Sequence, residues 1–265
     1  MTDLISTETG EKGARVVTGI FGRHSFPMHS HTDFALCVVE NGLQGFTSRT
    51  SKAVLHKGCF ASVNPGDLHN GYNAGTDGWR QHVLFFTNEN TAKFISENNI
   101  KKYDFAFSRN TSDNTVIAEI ITEKISSVSS SENLLKKQCL FEEIMALLHY
   151  REKIFSPSKA VKTGSVRRSV EKMSDAPEER HSLDDLAKLS GMSRFHFLRS
   201  FRQSTGLTPH AYLTQLRLDK AFRLLISTDM PLSRIAAECG YCDQPHFVRS
   251  FKKLWGTTPG SIKRK

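Results

Sequence analysis

The last hundred residues of this chain contain one block written twice. His196-Phe197-Leu198-Arg199-Ser200-Phe201-Arg202 recurs fifty residues later as His246-Phe247-Val248-Arg249-Ser250-Phe251-Lys252, and Gly206-Leu207-Thr208-Pro209 recurs as Gly256-Thr257-Thr258-Pro259. Upstream, Leu183, Leu186, Ala187 and Gly191 match Leu232, Ile235, Ala236 and Gly240 at an offset of 49, so the turn between the blocks differs by one residue. Chance does not produce that many matches in register. A duplicated sequence implies a duplicated structural unit.

Each copy carries the signals of two helices joined by a tight turn. In the first, Ser182 is placed to cap a short helix, with Asp185 three residues on. Leu183, Leu186, Ala187 and Leu189 form its apolar side, and Gly191 supplies the turn because it tolerates positive φ. Ser193 caps the next helix, expected over Arg194 to Ser204, on which Phe197 and Phe201 face the core four residues apart. The second copy runs Leu232–Cys239, turns at Gly240, and continues over Asp243–Leu254. Thr208-Pro209 reads as the cap and first residue of a connecting helix to about Ser227, with Leu213, Leu216, Leu218, Phe222 and Leu225 as its apolar positions. Short helix, glycine turn and second helix make a helix-turn-helix. A stiff connector would hold two such units so that they read successive major grooves about 34 Å apart.

Charge is divided unevenly. Residues 1–159 carry 17 Lys and Arg against 17 Asp and Glu, whereas residues 160–265 carry 19 against 10, so the whole formal charge of +9 lies in the duplicated half. A basic half beside a neutral one fits a polyanionic partner, although a solvated basic surface has the same composition.

The first half has another grammar. Phe34-Ala35-Leu36-Cys37-Val38-Val39 and Val83-Leu84-Phe85-Phe86 read as strands. They are broken by Glu40-Asn41-Gly42, Asn64-Pro65-Gly66-Asp67 and Asn73-Ala74-Gly75-Thr76-Asp77-Gly78, which suggests a sandwich or barrel over residues 15–90. Between 115 and 155 the period becomes helical. Ile117, Ile120, Ile121 and Val128 form one stripe, and Leu140, Ile144, Leu147, Leu148 and Phe155 form another. Either one stripe covers the barrel and the other a partner subunit, or both pack on their own barrel. Residues 156–164 read as a linker. The domains expected are therefore 1–155, the linker 156–164, and 165–265.

At this level of detail the chain resembles the AraC/XylS-type bacterial transcription regulators. The likeness rests on the two helix-turn-helix units, their Gly-x-Thr-Pro endings and Ile235-Ala236-Ala237-Glu238-Cys239-Gly240-Tyr241. In the first half it rests on His29-Ser30-His31 and Asn64-Pro65-Gly66-Asp67-Leu68-His69. It implies an α+β two-domain chain: an N-terminal cupin-like β-barrel with a helical segment, then an all-α double helix-turn-helix domain. The implied function is regulation of transcription, by activation with repression as the alternative, controlled by a small-molecule effector in the barrel. The implied partners are double-stranded promoter DNA, that effector, RNA polymerase and a second copy of the chain as a homodimer.

By the same resemblance, Phe195, Leu198 and Arg199 are the base-facing positions of the first copy, and Gln244, Pro245, His246, Val248 and Arg249 those of the second. Arginine can bond guanine through two hydrogen bonds and glutamine can do so with adenine, whereas Phe195 and Leu198 can meet only a thymine methyl or a sugar edge. Relatives often carry polar groups where Leu198, Pro245 and Val248 stand. Ser193, Arg194, Arg202, Lys252 and Lys253 are expected on phosphates. Arg199 and Arg249 could instead bind phosphates or carboxylates, and His196 and His246 could be partly buried structural residues.

His29, His31 and His69 have the ligand spacing of a metal cupin, and Gly58, Gly66, His69 and Asn73 match its second motif, with Asn64 in place of proline. The first motif wants a glutamate four or five residues after His31, where Ala35 and Leu36 stand. No metal, other cofactor or catalytic residue is therefore assigned, although a three-histidine site is chemically possible. These histidines, with Arg23, Trp79, Gln81 and His82, are the candidate effector contacts; Arg15 and Arg23 would suit an anionic effector, and a surface cation is the favoured alternative for each. Alternation puts Trp79, Gln81 and Val83 on one face and Arg80, His82 and Leu84 on the other without saying which looks inward. Cys239-Gly-Tyr-Cys242 imitates a zinc motif but lacks a second cysteine pair.

The longest apolar run is Phe34–Val39, too short to span a bilayer, and the polar Met1–Arg15 stretch has no signal-peptide core. Five cysteines without a paired framework fit a reducing compartment, so the expected location is cytoplasmic. The competing readings are a metal-dependent cupin enzyme that also binds DNA, and a constitutive DNA binder with a structural barrel.

Overall fold

The computed structural model describes residues 4–9, 14–98, 106–108, 110–129, 134–152 and 164–262. The chain divides into two compact units, Met1–Phe26 with Thr32–Lys159, and Pro27–His31 with Ala160–Lys265. Apart from Gly164, the expected linker lies outside the described residues, as does Phe155.

The first unit is built on two antiparallel sheets. One runs in the order β1 (Leu4–Thr9), β2 (Arg15–Phe21), β8 (Trp79–Phe86), β3 (Phe34–Gly42), β6 (Phe60–Val63), β9 (Thr111–Ser112). The other runs β5 (Lys52–Leu55), β4 (Gln44–Ser48), β7 (His69–Asn73). The strand β3 is buried on both faces, which is why it reads as an unbroken apolar run. Its register with β8 pairs Phe34 with Phe86, Leu36 with Leu84 and Val38 with His82. The apolar members of that set meet the helices α1 (Asn88–Glu97), α2 (Thr115–Ser129) and α3 (Leu134–Leu147). Ala35, Cys37 and Val39 alternate onto the opposite face, toward the smaller sheet.

Most of the described members of the two helical stripes pack within the chain. Ile117 and Ile121 from α2, and Leu140 and Ile144 from α3, share one core with Leu36, Phe60, Leu84 and Phe86, and Leu148 joins them just beyond α3. Burying each such side chain contributes roughly 1.5–3 kcal/mol. Of the two readings left open by the sequence, packing on the chain's own sheet holds for these residues.

The second unit is helical: α4 (Arg167–Asp175), α5 (Leu183–Leu189), α6 (Arg194–Thr205), α7 (Pro209–Ser227), α8 (Leu232–Glu238), α9 (Gln244–Trp255) and α10 (Pro259–Ile262). Side chains cap the starts of four of them. Ser182 accepts from the Asp185 amide at 3.1 Å, Ser193 from His196 at 3.4 Å, Thr208 from Ala211 at 3.3 Å and Asp243 from His246 at 2.6 Å. The caps explain why the elements begin within a residue of where the sequence puts them. Phe197, Phe201, Phe247 and Phe251 are fully buried, two per copy. The second pair is extended by a stack in which Phe222 lies 6.3 Å from Phe251 and 4.3 Å from Trp255.

The two turn glycines differ in one respect. Gly191 (φ +66°) and Gly240 (φ +77°) both adopt left-handed backbone, but a Cβ at Gly240 would sit 2.4 Å from the Glu178 carbonyl oxygen while one at Gly191 would meet nothing. Gly240 is therefore required twice, by conformation and by space.

Candidate nucleic-acid interface

Helical periodicity splits α6 into two faces. Phe197 and Phe201 point into the core, and Phe195, Leu198, Arg199 and Arg202 fall on the exposed side at spacings of three and four. Phe195 is 77% exposed, an unusual state for a phenylalanine, and Leu198 is 38% exposed. On α9, Gln244, Pro245, His246, Arg249, Lys252 and Lys253 are exposed and Val248 is half-buried, opposite the buried Phe247, Phe251 and Leu254. The expected reading positions thus lie away from the buried phenylalanines in each copy. His196 and His246 are both exposed. The His246 ring meets Tyr241 edge-on at 5.3 Å.

One expected phosphate contact has an internal partner. Arg194 forms a two-pronged pair with Asp184, joining the start of α6 to the start of α5. Its hydrogen bonds hold the Asp184 carboxyl below the ordinary aspartate range, and the guanidinium is raised in turn. Sequence spacing gave no sign of this pair, because it bridges two elements.

A second connection was equally invisible. Arg217 on α7 donates to the carbonyls of Pro177 at 2.7 Å and Glu179 at 2.9 Å, and Lys220 pairs with Glu178 at 2.8 Å. The Lys220 hydrogen bond holds the Glu178 carboxyl below its usual range. These cations tie the loop after α4 to the connecting helix, against the turn at Gly240. In the sequence they are merely surface charges of α7. The pseudo-zinc motif separates in burial. Cys239 is buried, its thiol pushed up to about 11 by desolvation, and Cys242 is exposed.

In the first unit the structure decides which face of β8 looks between the sheets. Trp79 and Gln81 do. The Trp79 indole N–H donates to Gln81 Oε1 at 2.9 Å, and the Cys37 thiol lies 3.3 Å from the same oxygen and 3.4 Å from Gln44 Oε1 on β4. Burial pushes the Cys37 thiol up to about 12, so it stays protonated and its one S–H can donate to either glutamine oxygen. His69 is buried beside Phe46, ring centroids 6.1 Å apart, with Nδ1 3.0 Å from the Asp67 carbonyl oxygen. Arg15 is buried, not a surface cation as the sequence favoured: it pairs with Asp33 at 2.7 Å, and its guanidinium lies 4.4 Å above the Phe85 ring.

Other candidates lie elsewhere. His82 is on the opposite face of β8, with Nδ1 2.8 Å from Thr18 Oγ1 and Nε2 2.9 Å from Glu40 Oε2. Burial lowers its pKa from 6.5 against the opposing pull of Glu40, which favours the neutral ring near pH 7. Arg23 is exposed. His29 and His31 group with the second unit, their rings 6.3 Å apart, and His29 Nδ1 lies 2.8 Å from the Pro27 carbonyl oxygen. Among the described residues, no group of three or more His, Cys, Asp or Glu side chains is arranged to hold a metal ion. The sequence missed Gln44, Cys37 and Asp33 as inward-facing polar groups. A buried glutamine or aspartate inside a strand-rich segment was the available signal.

Comparison with known proteins decides the assignment. Residues 186–265 match the model of a helix-turn-helix domain, and residues 15–145 match that of an AraC-like ligand binding domain. The chain belongs to the AraC/XylS family. It is 27% identical over 228 residues to the HTH-type transcriptional regulator YbfI of Bacillus subtilis, covering 83% of this chain and 81% of that protein. It is 23% identical over 244 residues to the HTH-type transcriptional activator RhaS of Mannheimia succiniciproducens, covering 90% and 89%. The crystal structure of apo ToxT from Vibrio cholerae shares the fold, with a TM-score of 0.64 at 11% identity over 96% of this chain and 97% of that one. This AraC/XylS member is thus an effector-controlled, DNA-binding transcription regulator, with a sheet-rich ligand-binding unit and a helical DNA-binding unit.

Proposed function

We propose that this regulator activates transcription from promoter DNA as a cytoplasmic homodimer that contacts RNA polymerase, and that it performs no catalysis of its own. The domains serving this are 1–155 for sensing and 165–265 for DNA, joined by 156–164. The observation that carries the reading is the repeated placement of an exposed arginine, Arg199 and Arg249, at the same position of two reading helices with the same buried phenylalanine pair.

In this reading Arg199 and Arg249 bond guanine and Gln244 bonds adenine, while Phe195 and Leu198 lie against thymine methyls. Pro245, His246 and Val248 complete the second reading face. Ser193, Arg202, Lys252 and Lys253 neutralise or bond phosphates, and Arg194 acts chiefly through Asp184 by fixing α5 against α6. The effector enters between the sheets of the first unit, where Trp79, Gln81, Gln44, Cys37 and His69 are its proposed contacts. It regulates only if it binds the DNA-competent state better than the other. Since Ile117, Ile121, Leu140, Ile144 and Leu148 are spent on the core, dimerisation falls to the outer surfaces of α2 and α3, where Val116 is 63% exposed.

The test is a promoter-reporter screen of genomic fragments selected by the full chain. The proposal expects effector-dependent increases in transcript that Gln81→Ala removes while DNA affinity without effector is kept. Uniform repression by the wild type would reject the activator assignment. Sedimentation of a monomer at micromolar concentration, with and without DNA, would reject the dimer.

A further inference from the structure

Beside the reading helices, the second unit contains an open cleft that the DNA-reading scheme does not use. It has a volume of about 380 Å³ and lies between the start of α4 and the end of α5, lined by Ser165, Arg167, Arg168, Lys188, Ser190 and Gly191 among others. Its walls are fixed. Ser169 of α4 donates to the Leu186 carbonyl at 2.7 Å and shares a 2.8 Å hydrogen bond with Ser190, while Val166, Met173, Leu186 and Ala187 pack together behind it. Three cationic residues and two serines thus line one concavity, and no acidic residue does. Arg167 is drawn toward Glu171 at 3.7 Å, both well exposed. Among the described residues, no ion pair links Arg168 or Lys188 to a carboxylate, and Lys188 acts on Asp184 only through space, helping to hold that carboxyl down.

We infer that this cleft is a phosphate-binding site. Arginine offers a planar fork of donors and lysine a point charge, the pairing suited to the tetrahedral, multiply charged oxygens of a phosphate. The volume lies at the small end of ligand sites, enough for one or two phosphate groups. Gly191, at the cleft's edge, is the turn residue of the first helix-turn-helix, two residues before the Ser193 cap of α6. A phosphate held here lies beside the start of the helix that reads bases. It can come from the duplex backbone or from a free phosphorylated small molecule. The duplex source rests on the DNA-binding reading above, and the free source does not.

The experiment compares the full chain with its Arg168→Gln/Lys188→Gln variant, both shown to melt alike. One arm measures affinity for a random 25-base-pair duplex across a salt series. The other titrates inorganic pyrophosphate into the DNA-free chain by calorimetry. If the duplex supplies the phosphate, the log–log salt slope of the variant is shallower by roughly 1.8, about 0.9 per lost contact. If a free molecule supplies it, the wild type shows one saturable pyrophosphate site that the variant lacks, with the slope unchanged. Both changes together identify one site for which the two sources compete. Equal slopes and equal titrations overturn the site. Failure of the wild type to prefer any genomic sequence over random duplex would sink the regulator reading and leave the pyrophosphate arm intact.

Discussion

The two helix-turn-helix copies agree inside and disagree outside. Both bury a phenylalanine pair four residues apart, turn at a left-handed glycine and end the second helix at another, Gly206 or Gly256. Their reading faces have little in common beyond the arginine. The first offers Phe195, Leu198 and Arg199, and pins its helix start through Arg194 to Asp184. The second offers Gln244, Pro245, His246, Val248 and Arg249, and caps its helix with Asp243 where the first uses Ser193. A conserved core fixes where a reading helix stands, and the exposed positions are left to vary. The two halves of one binding site should accordingly differ in base content, richer in thymine methyls under the first copy and in purine hydrogen-bond edges under the second.

The largest effects should test the shared interior. Phe197→Ala and Phe247→Ala are expected to cost about 3–5 kcal/mol each by denaturant unfolding, because both remove a fully buried ring. A small cost in one copy only would mean that the copies are not equivalent scaffolds. The turn glycines should separate next. Gly191→Ala is expected to cost about 1–3 kcal/mol for a left-handed backbone alone, and Gly240→Ala more, because its Cβ meets the Glu178 carbonyl. Equal melting temperatures for the two variants would remove that distinction.

Smaller effects should fall on the readers. Arg199→Ala and Arg249→Ala should each weaken binding to a selected site by about 1–3 kcal/mol and relax the preference at one base pair, read by competition gel shift. Loss of affinity spread evenly over all sequences would reassign either arginine to phosphates. The smallest effect concerns Phe195. Replacing the contacted thymine by deoxyuridine removes one methyl and should cost about 1 kcal/mol with the wild type. Phe195→Ala should lose that sensitivity, while Gln244→Ala should keep it.

The sequence made the second unit legible because its signals are local. Caps, glycine turns and the four-residue phenylalanine spacing each act within one helical turn, and duplication displayed them twice. The first unit was legible in kind but not in orientation. Both faces of β8 are largely buried, Trp79 and Gln81 toward the smaller sheet and His82 and Leu84 away from it, so alternation alone carried no label for the interior. Pairings across sequence distance were closed to inspection as well. Arg15 finds Asp33, His82 finds Glu40, and Arg217 finds the Pro177 and Glu179 carbonyls only once strands and helices have packed. Each of these residues, read alone, is an ordinary polar group.

Recognition of a single operator requires α6 and α9 to engage adjacent turns of one duplex, with their two arginines at separate positions. Hydroxyl-radical footprinting of the full chain on a selected genomic site tests this directly. Two protected patches on one face of the DNA, about 10 base pairs apart, are expected, with Arg199→Ala weakening one patch and Arg249→Ala the other. A single patch, or the same loss from both variants, would contradict it.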